Sequence, residues 1–226
     1  MSNAGELVLK DTTKTYGSLP VLAGVSLTVR PGEAVVIVGP SGSGKTTLLN
    51  IAGSLDVPTS GTVCLGDTNL LGLASGGLAD FRARRVGFVF QDHHLLPHLT
   101  ALDNVLIPAM ALGTARQAQA RAHELLASLG LAEKANSLPG RMSGGERQRT
   151  AFARALINDP ELILCDEPTG SLDPETGSAV ISIALDLART AGKTVLAVTH
   201  NMAHAALFDR CLRLDHGQLQ DTGSAQ

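Results

Sequence analysis

Nine consecutive residues in the first quarter of the chain have the types and spacing of a phosphate-binding loop. They are Gly39, Pro40, Ser41, Gly42, Ser43, Gly44, Lys45, Thr46 and Thr47. Glycines at this spacing let backbone N–H groups curl around phosphates, while Lys45 reaches the terminal phosphates and the Thr46 hydroxyl is placed to ligate Mg²⁺. The pattern predicts binding of a nucleoside triphosphate with Mg²⁺. The alternative is a glycine-rich turn between a strand and a helix, with no ligand.

A pair of carboxylates follows an apolar run at residues 162–165. Such a run predicts a buried strand, and the ligands of parallel α/β sheets bind at the carboxyl ends of the strands. We therefore expect Asp166 to bind Mg²⁺, directly or through water, and Glu167 to orient a water molecule toward the γ-phosphate. The alternative is a charged strand exit, which is the weaker interpretation because the phosphate-binding loop stands in the same chain.

Residues 142–149 combine a helix cap with two consecutive glycines. Ser143 and Glu146 have the spacing of a capping box, in which each side chain bonds the backbone N–H of the other residue. A cap does not require Gly144 and Gly145, and an exposed helix start with two glycines offers further N–H donors to phosphate. The segment therefore predicts a capped helix, with a second phosphate-binding element as its functional interpretation.

The apolar runs that must position these residues predict an α/β fold. Continuous apolar runs are typical of buried parallel strands, and alternating polarity is typical of half-exposed antiparallel ones. The predicted parallel-type strands are residues 34–38, 86–90, 162–165 and 194–198, the shorter strands are 7–9, 25–29 and 61–65, and the helices are 101–135 and 143–157. In the first helical region Leu125, Leu126, Leu129 and Leu131 form an apolar stripe, which we interpret as helix core.

Composition excludes several classes of protein. The chain has 226 residues, a net charge of −3 and only 3% aromatic residues, which argues against a broad nucleic-acid surface. It has no apolar stretch of about 18 residues and no signal segment, so we expect a cytoplasmic protein. The three cysteines, Cys64, Cys165 and Cys211, lack metal-type spacing and are expected to be reduced core thiols. Ser2, Asn3 and Ala4 resemble the remnant of an expression tag.

Taken in order, these motifs resemble the nucleotide-binding subunits of ABC transporters, over roughly residues 7–219. The signature of that family usually begins with leucine, where this chain has Met142. The resemblance implies the ABC ATPase fold: a P-loop NTPase core with a parallel sheet, an antiparallel β subdomain and a helical subdomain that carries the signature. It further implies that residues 1–226 form a single domain, with the helical subdomain at about residues 92–158, and that the reaction is hydrolysis of ATP.

The same resemblance implies roles for four more residues. Tyr16 matches the aromatic residue that stacks on adenine, and Gln91 the glutamine that touches Mg²⁺ and the attacking water. Asp173 matches the loop that couples two opposed sites, and His200 the histidine that contacts the γ-phosphate. Taken alone, these would be a loop anchor, a strand-end glutamine, a turn opening a helix and a structural histidine.

The family pattern also implies partners. Two copies would form a head-to-tail homodimer, in which Lys45, Thr46 and Asp166 of one copy and Ser143, Gly144 and Gly145 of the other enclose each ATP. An integral membrane permease would hold the chain at the inner face of the cell membrane, and the residues expected to receive it are Leu95, Leu96, Pro97 and Leu99. A metal site at His93, His94 and His98 is the weaker alternative for this loop, because it lacks a secure fourth ligand. Separately, we interpret Arg82, Arg84 and Arg85 as a solvated basic helix face.

Three function classes follow from these residues. Residues 86–91, 96–105 and 144–149 are similar to the branch of the family that serves lipoprotein release, macrolide-type efflux and related cell-envelope work. The second class is an ATP-dependent scaffold that regulates envelope or division proteins without transport. The third is a small-molecule kinase, which gives no reason for Ser143–Gly145, Glu167 and His200 to occur together.

Overall fold

The computed structural model describes residues 5–221; the suggested tag remnant lies outside them. The strands are β1 (Leu7–Tyr16), β2 (Leu19–Val29), β3 (Ala34–Val38), β4 (Ser60–Leu65), β5 (Thr68–Asn69), β6 (Val86–Phe90), β7 (Leu162–Asp166), β8 (Thr194–Val198), β9 (Arg210–Asp215) and β10 (Gln218–Asp221). The α-helices are α1 (Lys45–Ala52), α2 (Ser75–Arg85), α3 (Ala101–Ala111), α4 (Ala115–Ser128), α5 (Gly144–Leu156), α6 (Pro174–Arg189) and α7 (Met202–Ala205). Single 3-10 turns lie at Leu70–Gly72, Ala132–Lys134 and Pro139–Arg141.

A six-stranded sheet forms the centre of the molecule, in the order β10-β9-β3-β8-β7-β6. Its strands pair in parallel from β9 to β6, and only β10 is antiparallel. All five residues of β3 and of β8 are buried, because α1 and the smaller sheet cover one face while α5 and α6 cover the other. The predicted parallel α/β sheet is confirmed.

The smaller sheet is antiparallel, in the order β2-β1-β4-β5, as the alternating polarity predicted. Its first two strands are much longer than the predicted 7–9 and 25–29. They form a hairpin whose register runs from Leu7 opposite Val29 to Tyr16 opposite Leu19. Two buried positions of β1 hold polar residues, Thr12 and Lys14. A search for apolar residues therefore does not detect the second half of this strand.

The helical region consists of α3, α4 and α5 around a separate apolar cluster. Residues 101–135, which were expected to form one helical region, instead form two α-helices with a break at residues 112–114, and α4 ends at Ser128. Gly130 follows with φ 70°, a left-handed conformation that glycine adopts readily and that commonly ends helices. Leu131 is still fully buried, but it reaches the cluster from beyond the helix.

Two of the three arginines in the basic cluster on α2 are held by other elements, while Arg84 is exposed. Arg85 donates to both carboxylate oxygens of Glu161, at 2.8 and 2.7 Å, and to the hydroxyl of Thr68 at 2.8 Å. Arg82 donates to the carbonyl of Ser54 at 3.0 Å. The interpretation of this cluster as a solvated face was wrong for these two arginines, because they join α2 to the strands and loops beside it.

The cysteines and the helix lengths can now be compared with the expectations from composition. Cys165 and Cys211 are buried in the core as expected, whereas Cys64 on β4 is half-buried; burial raises the pKa of Cys165 to about 12. Within residues 5–221, none of the helices has both the length and the apolar character needed to cross a membrane.

Candidate nucleotide-binding and active site

The phosphate-binding loop connects β3, in the middle of the large sheet, to α1. Gly44 precedes the helix with φ 99°, and no side chain caps the first turn. A Cβ at Gly39 would lie 2.2 Å from the carbonyl oxygen of Leu214, so only glycine fits there. The uncapped N–H groups of α1 therefore face the loop, which is the arrangement that binds phosphate.

Lys45 is held inside this loop. Its Nζ donates to the carbonyl oxygens of Gly39 and Pro40, each at 2.9 Å, and the residue is only 9% exposed. A cavity of about 250 Å³ lies over the loop, lined by Val21, Gly42, Gly44, Lys45, Thr46 and Thr47. The ammonium group is thus placed at the wall of a cavity that would hold phosphate oxygens.

A hydroxyl and a carboxylate meet beside the loop. Thr46 Oγ1 lies 3.2 Å from Asp166 Oδ1, although the two residues are 120 positions apart. Burial raises the pKa of Asp166, and the hydrogen bond from Thr46 partly opposes that rise. Hard oxygen donors of these two kinds suit Mg²⁺, which usually takes one or two protein ligands and completes its shell with phosphate and water. The residues present therefore fit the ion.

Glu167 and His200 form the next pair. Glu167 Oε2 lies 2.9 Å from His200 Nδ1 and also accepts the backbone N–H of His200 at 3.2 Å. Glu167 has φ 46°, and its own N–H donates to the carbonyl of Val198 at 3.0 Å. This backbone turns the carboxylate toward the segment after β8, so β7 and β8 together deliver both side chains to one edge of the sheet.

Gln91 follows β6, the strand beside β7. It packs on the backbone of Gly170, where a Cβ would lie 2.8 Å from the Gln91 Nε2 atom. Asp166 ends β7, and Glu167, His200 and Gln91 follow β7, β8 and β6, which are three adjacent strands of the large sheet. The structure brings these four predicted residues to one edge, where the phosphate-binding loop also ends.

Two residues that sequence reasoning missed hold the backbone on either side of Gln91. Gln148 is 1% exposed and donates to the carbonyl of Phe90 at 3.1 Å. Arg154 donates to the carbonyls of His94 and His93, at 2.6 and 2.7 Å. Both lie on α5. A glutamine on the apolar face of this predicted amphipathic helix could have indicated that Gln148 has a buried hydrogen-bond partner.

The predicted capping box is confirmed at the start of α5. Ser143 accepts from the N–H of Glu146 at 3.2 Å, and Glu146 accepts from the N–H of Ser143 at 2.7 Å. The glycines also allow close packing, because a Cβ at Gly145 would lie 2.3 Å from Thr176 Cγ2 on α6. Packing against α6 is therefore a second reason for glycine, which the sequence did not reveal.

Ser143, Gly144 and Gly145 do not line the cavity over the phosphate-binding loop of their own chain. Ser143 is exposed and Gly144 partly exposed. Asp173 caps α6 by accepting the N–H of Thr176 at 3.0 Å, and hydrogen bonding from that N–H lowers the pKa of Asp173. The N-terminal ends of α5 and α6 thus present polar groups outward, away from the cavity.

Tyr16 ends β1; the residue is 48% exposed, and its hydroxyl donates to Asp56. Lys14 lies beneath the ring, with Nζ 4.7 Å from its centroid. Asp56 and Lys14 were missed because neither belongs to a recognisable motif.

The histidine-rich loop lacks the geometry of a metal centre. In the part of the chain that the structure describes, no three His, Cys, Asp or Glu side chains are grouped so that they could hold a metal ion. His93 instead contacts the carbonyl of Gln91 at 3.2 Å, and burial lowers its pKa. His94 packs edge-on against Phe90, with ring centroids 5.1 Å apart.

An apolar groove of about 430 Å³ lies beside this loop. Its lining includes Ala79 and Ala83 of α2, Phe88 of β6, Ile107 and Pro108 of α3, and Arg154 of α5. Of the residues expected to receive a permease, Leu96 and Pro97 are exposed and Leu95 and Leu99 half-buried. They do not line the groove, so the candidate surface includes residues that the sequence did not indicate.

Comparison with known proteins gives consistent results. Residues 22–170 match the family model described as "ABC transporter". The chain is 48% identical over 219 residues to the lipoprotein-releasing system ATP-binding protein LolD of Cereibacter sphaeroides, covering 94% of this chain and 98% of that protein. It is 47% identical to LolD of Bacteroides fragilis, with 93% and 98% covered.

Two solved structures of the ATP-binding cassette MJ0796 have the same fold. One is the dimeric structure of a post-hydrolysis state bound to ADP and Pi, with a TM-score of 0.85 and 38% identity over 97% of this chain and 99% of that one. The other, described as the dimeric structure of a bacterial ABC transporter cassette, gives a TM-score of 0.88 and 39% identity, with the same coverage.

Proposed function

The chain belongs to the ABC transporter family, as an ATP-hydrolysing subunit with the ABC ATPase fold, and from this premise we propose that it powers a lipoprotein-releasing system. The observation that carries the proposal is the identity of 48% to a LolD protein over 98% of its length. That similarity supports transport over the scaffold and kinase alternatives.

Nucleotide binding is assigned to the loop and its neighbours. The backbone N–H groups of the loop Gly39–Thr47, which Pro40 alone lacks, bind the phosphates together with the ammonium group of Lys45. The Tyr16 ring stacks on the adenine base. Thr46, Asp166 and Gln91 would hold Mg²⁺, which neutralises phosphate charge when bound. The contact between Thr46 and Asp166 at 3.2 Å supports this set.

Hydrolysis requires a water molecule aligned with the γ-phosphate. Glu167 orients and polarises that water as general base, and Gln91 restrains it from the adjacent strand. His200 contacts the γ-phosphate while its ring holds the Glu167 carboxylate, as their separation of 2.9 Å supports. The phosphate–oxygen bond to ADP then breaks as the water oxygen bonds to phosphorus.

Closure of a homodimer completes the site. Ser143, Gly144 and Gly145 do not line their own phosphate cavity. In a head-to-tail pair they face the phosphates bound by the other copy, and Asp173 lies in the loop that couples the two sites. ATP thus holds two chains together, and its hydrolysis lowers the affinity of one copy for the other.

The membrane partner is an integral permease, which would place the chain at the inner face of the cell membrane. The apolar groove between α2, α3 and α5, together with Leu95–Leu99, would receive a helix of that permease. We also take residues 1–226 as one ATPase domain, with residues 92–158 as its helical subdomain.

The test is the solution mass of the Glu167→Gln protein by light scattering, with and without Mg-ATP. The variant retains the phosphate contacts but lacks the general base that activates water. We therefore expect a dimer with Mg-ATP and a monomer without Mg-ATP. Ser143→Arg in the same background is expected to abolish the dimer, because the larger side chain blocks the opposing phosphate contact. A monomer throughout, with ATP bound, would refute closure by this chain alone.

The lipoprotein assignment has its own test. The membrane protein that co-purifies with the chain would be identified, and its depletion should leave lipoproteins in the inner membrane. A partner that activates hydrolases or division proteins, with lipoproteins released normally, would instead establish the scaffold alternative.

A further inference from the structure

Asp56, an acidic residue outside the motifs, connects Tyr16, which is proposed to bind adenine, to the helix that follows the phosphate-binding loop. Asp56 lies in the loop after α1, the helix whose first turn belongs to the phosphate-binding loop. The N–H groups of Leu55 and Asp56 donate to the carbonyl of Asn50, at 2.8 and 3.2 Å. These hydrogen bonds therefore fix Asp56 relative to α1.

The carboxylate of Asp56 contacts both residues that fix the Tyr16 ring. One oxygen accepts the phenol hydroxyl, and the other lies 2.5 Å from the ammonium group of Lys14. Lys14 also donates to the carbonyl of Val57 at 2.6 Å, and it is only 9% exposed. Because the ion pair is partly buried, these contacts restrain the ring more than an exposed pair would.

The arrangement leaves one face of the ring available. Lys14 Nζ lies 4.7 Å from the ring centroid on one side, within the range of a cation–π contact. Tyr16 as a whole remains 48% exposed. A planar base can therefore stack only on the side opposite Lys14, and the hydroxyl link prevents the ring from turning away.

Charge also favours this assembly next to a triphosphate. An isolated carboxylate beside a binding site for anions would repel its ligand, but the ammonium group of Lys14 neutralises Asp56. Although burial opposes the effect, hydrogen bonds from Lys14 and Tyr16 hold the pKa of Asp56 below its ordinary value. Asp56 therefore stays ionised and keeps both contacts at neutral pH.

We propose that Asp56, with Lys14, is a positioning residue that holds the Tyr16 ring ready to stack on the base of the bound nucleotide. The inference rests on the proposed role of Tyr16 in base binding. Since an ordered aromatic side chain saves the entropy of fixing it on binding, the effect falls on the affinity for nucleotides and not on the chemical step.

The test compares two ligands that differ in having a base. Dissociation constants of the full chain are measured for Mg-ATP and for inorganic tripolyphosphate, with wild type, Asp56→Ala, Tyr16→Phe and Tyr16→Ala. We expect Asp56→Ala and Tyr16→Phe to weaken ATP binding about three- to tenfold and to leave tripolyphosphate binding unchanged. Asp67→Ala, in the exposed turn between β4 and β5, is the matched control and should change neither.

A double variant shows whether Asp56 acts through the ring. In the Tyr16→Ala background, Asp56→Ala should cause no further loss of ATP affinity, since the ring it positions is gone. If Asp56→Ala does not fold, Tyr16→Phe carries the test alone, because it removes the hydroxyl link and leaves the ion pair intact.

A spectroscopic readout is direct, since Tyr16 is the only tyrosine and the chain has no tryptophan. Hydrogen bonding to Asp56 raises the pKa of Tyr16. Ultraviolet titration of the phenol should therefore show a lower pKa in Asp56→Ala than in wild type, and an unchanged pKa in Asp67→Ala.

The outcomes separate this inference from the proposed function. Loss of ATP affinity in Tyr16→Ala without loss in Asp56→Ala overturns the positioning role and leaves base stacking intact. Equal loss of ATP and tripolyphosphate affinity in Asp56→Ala also overturns it, since Asp56 would then support the phosphate-binding loop. Unchanged ATP affinity in Tyr16→Ala overturns base stacking itself, and the positioning role with it.

Discussion

Glu167 combines an uncommon backbone with an interaction that a regular strand end would not allow. Its φ of 46° is left-handed, a region that non-glycine residues seldom occupy, and such residues concentrate at functional sites. The conformation places Oε2 against both the ring and the backbone N–H of His200. The surroundings therefore fix this carboxylate before any ligand arrives.

Two single changes should separate binding from chemistry. Glu167→Gln retains the side-chain size and the loop contacts, so we expect ATP affinity within about threefold of wild type and hydrolysis at least about 100-fold slower. Lys45→Ala removes the ammonium group from the cavity wall and should weaken ATP binding at least about tenfold. Affinity is measured by calorimetry and turnover by phosphate release. Equal loss of affinity in both variants would contradict this division of roles.

At the level of elements, α5 connects three parts of the site. Its N-terminal end presents Ser143 and Gly144 to solvent, and Gly145 packs against α6. Gln148 holds the end of β6 just before Gln91, and Arg154 holds the loop after it. A shift of this helix would therefore change the signature and the glutamine loop together.

The cap of α5 should make stability depend on pH. Hydrogen bonding from the Ser143 N–H lowers the pKa of Glu146. A carboxyl group whose pKa is lowered by folding contributes stability above its unfolded pKa of about 4.3, and loses it as pH falls through the folded value. Glu146→Gln should therefore cost about 0.5–1 kcal/mol at neutral pH, and nothing once the carboxyl is protonated. Urea unfolding at both pH values measures the difference.

Glu124→Gln, on the exposed face of α4, is the control for that experiment and should show no difference at either pH. A cost for Glu146→Gln that is the same at neutral and acid pH would mean that the charge of Glu146 does not contribute.

Close packing of α5 on α6 makes a second prediction for this element. Gly145→Ala places a methyl group 2.3 Å from Thr176 Cγ2, so we expect a loss of about 1–3 kcal/mol in the free energy of unfolding. Thr176→Ser removes that methyl group and should restore most of the loss in the double variant. Gly140→Ala, where a Cβ meets nothing within 4 Å, should be tolerated. No recovery in the double variant would show that the glycine is needed for its backbone instead.

For the whole molecule, Arg154 and the loop after Gln91 lie between the nucleotide site and the apolar groove. Arg154 lines the groove, and it also holds the carbonyls of His93 and His94 in the loop that begins at Gln91. A partner bound in the groove would therefore contact the same residues that restrain the glutamine near the γ-phosphate.

A bulky charge in the groove should separate partner binding from ATP binding. Ala79→Arg, on the groove side of α2, should weaken co-purification of the membrane partner at least about tenfold, while ATP affinity and the ATP-dependent dimer stay unchanged. Ala120→Arg, at an exposed position of α4, is the matched control and should bind the partner normally. Normal partner binding by Ala79→Arg would exclude the groove as the docking site.

The amino-acid sequence by itself determined the family, the phosphate-binding loop, the capping box of α5 and the parallel sheet. The loop, the cap and the strands each depend on neighbours in the chain: a glycine-rich turn between a strand and a helix, a serine three residues before a glutamate, or an unbroken apolar run. The family follows from the order of these motifs along the chain. Local patterns of this kind specify local geometry, so they can be recognised before the fold is known.

Only the tertiary structure decided which distant residues meet. Glu167 contacts His200 because β7 pairs with β8, Asp56 contacts Tyr16 because β1 ends beside the exit of α1, and Gly145 contacts Thr176 because α5 packs against α6. Such contacts depend on strand order and helix packing, which side chains throughout the core determine together. No single segment of the sequence encodes them, and for that reason Lys14, Asp56 and Arg154 carried no signal of their own.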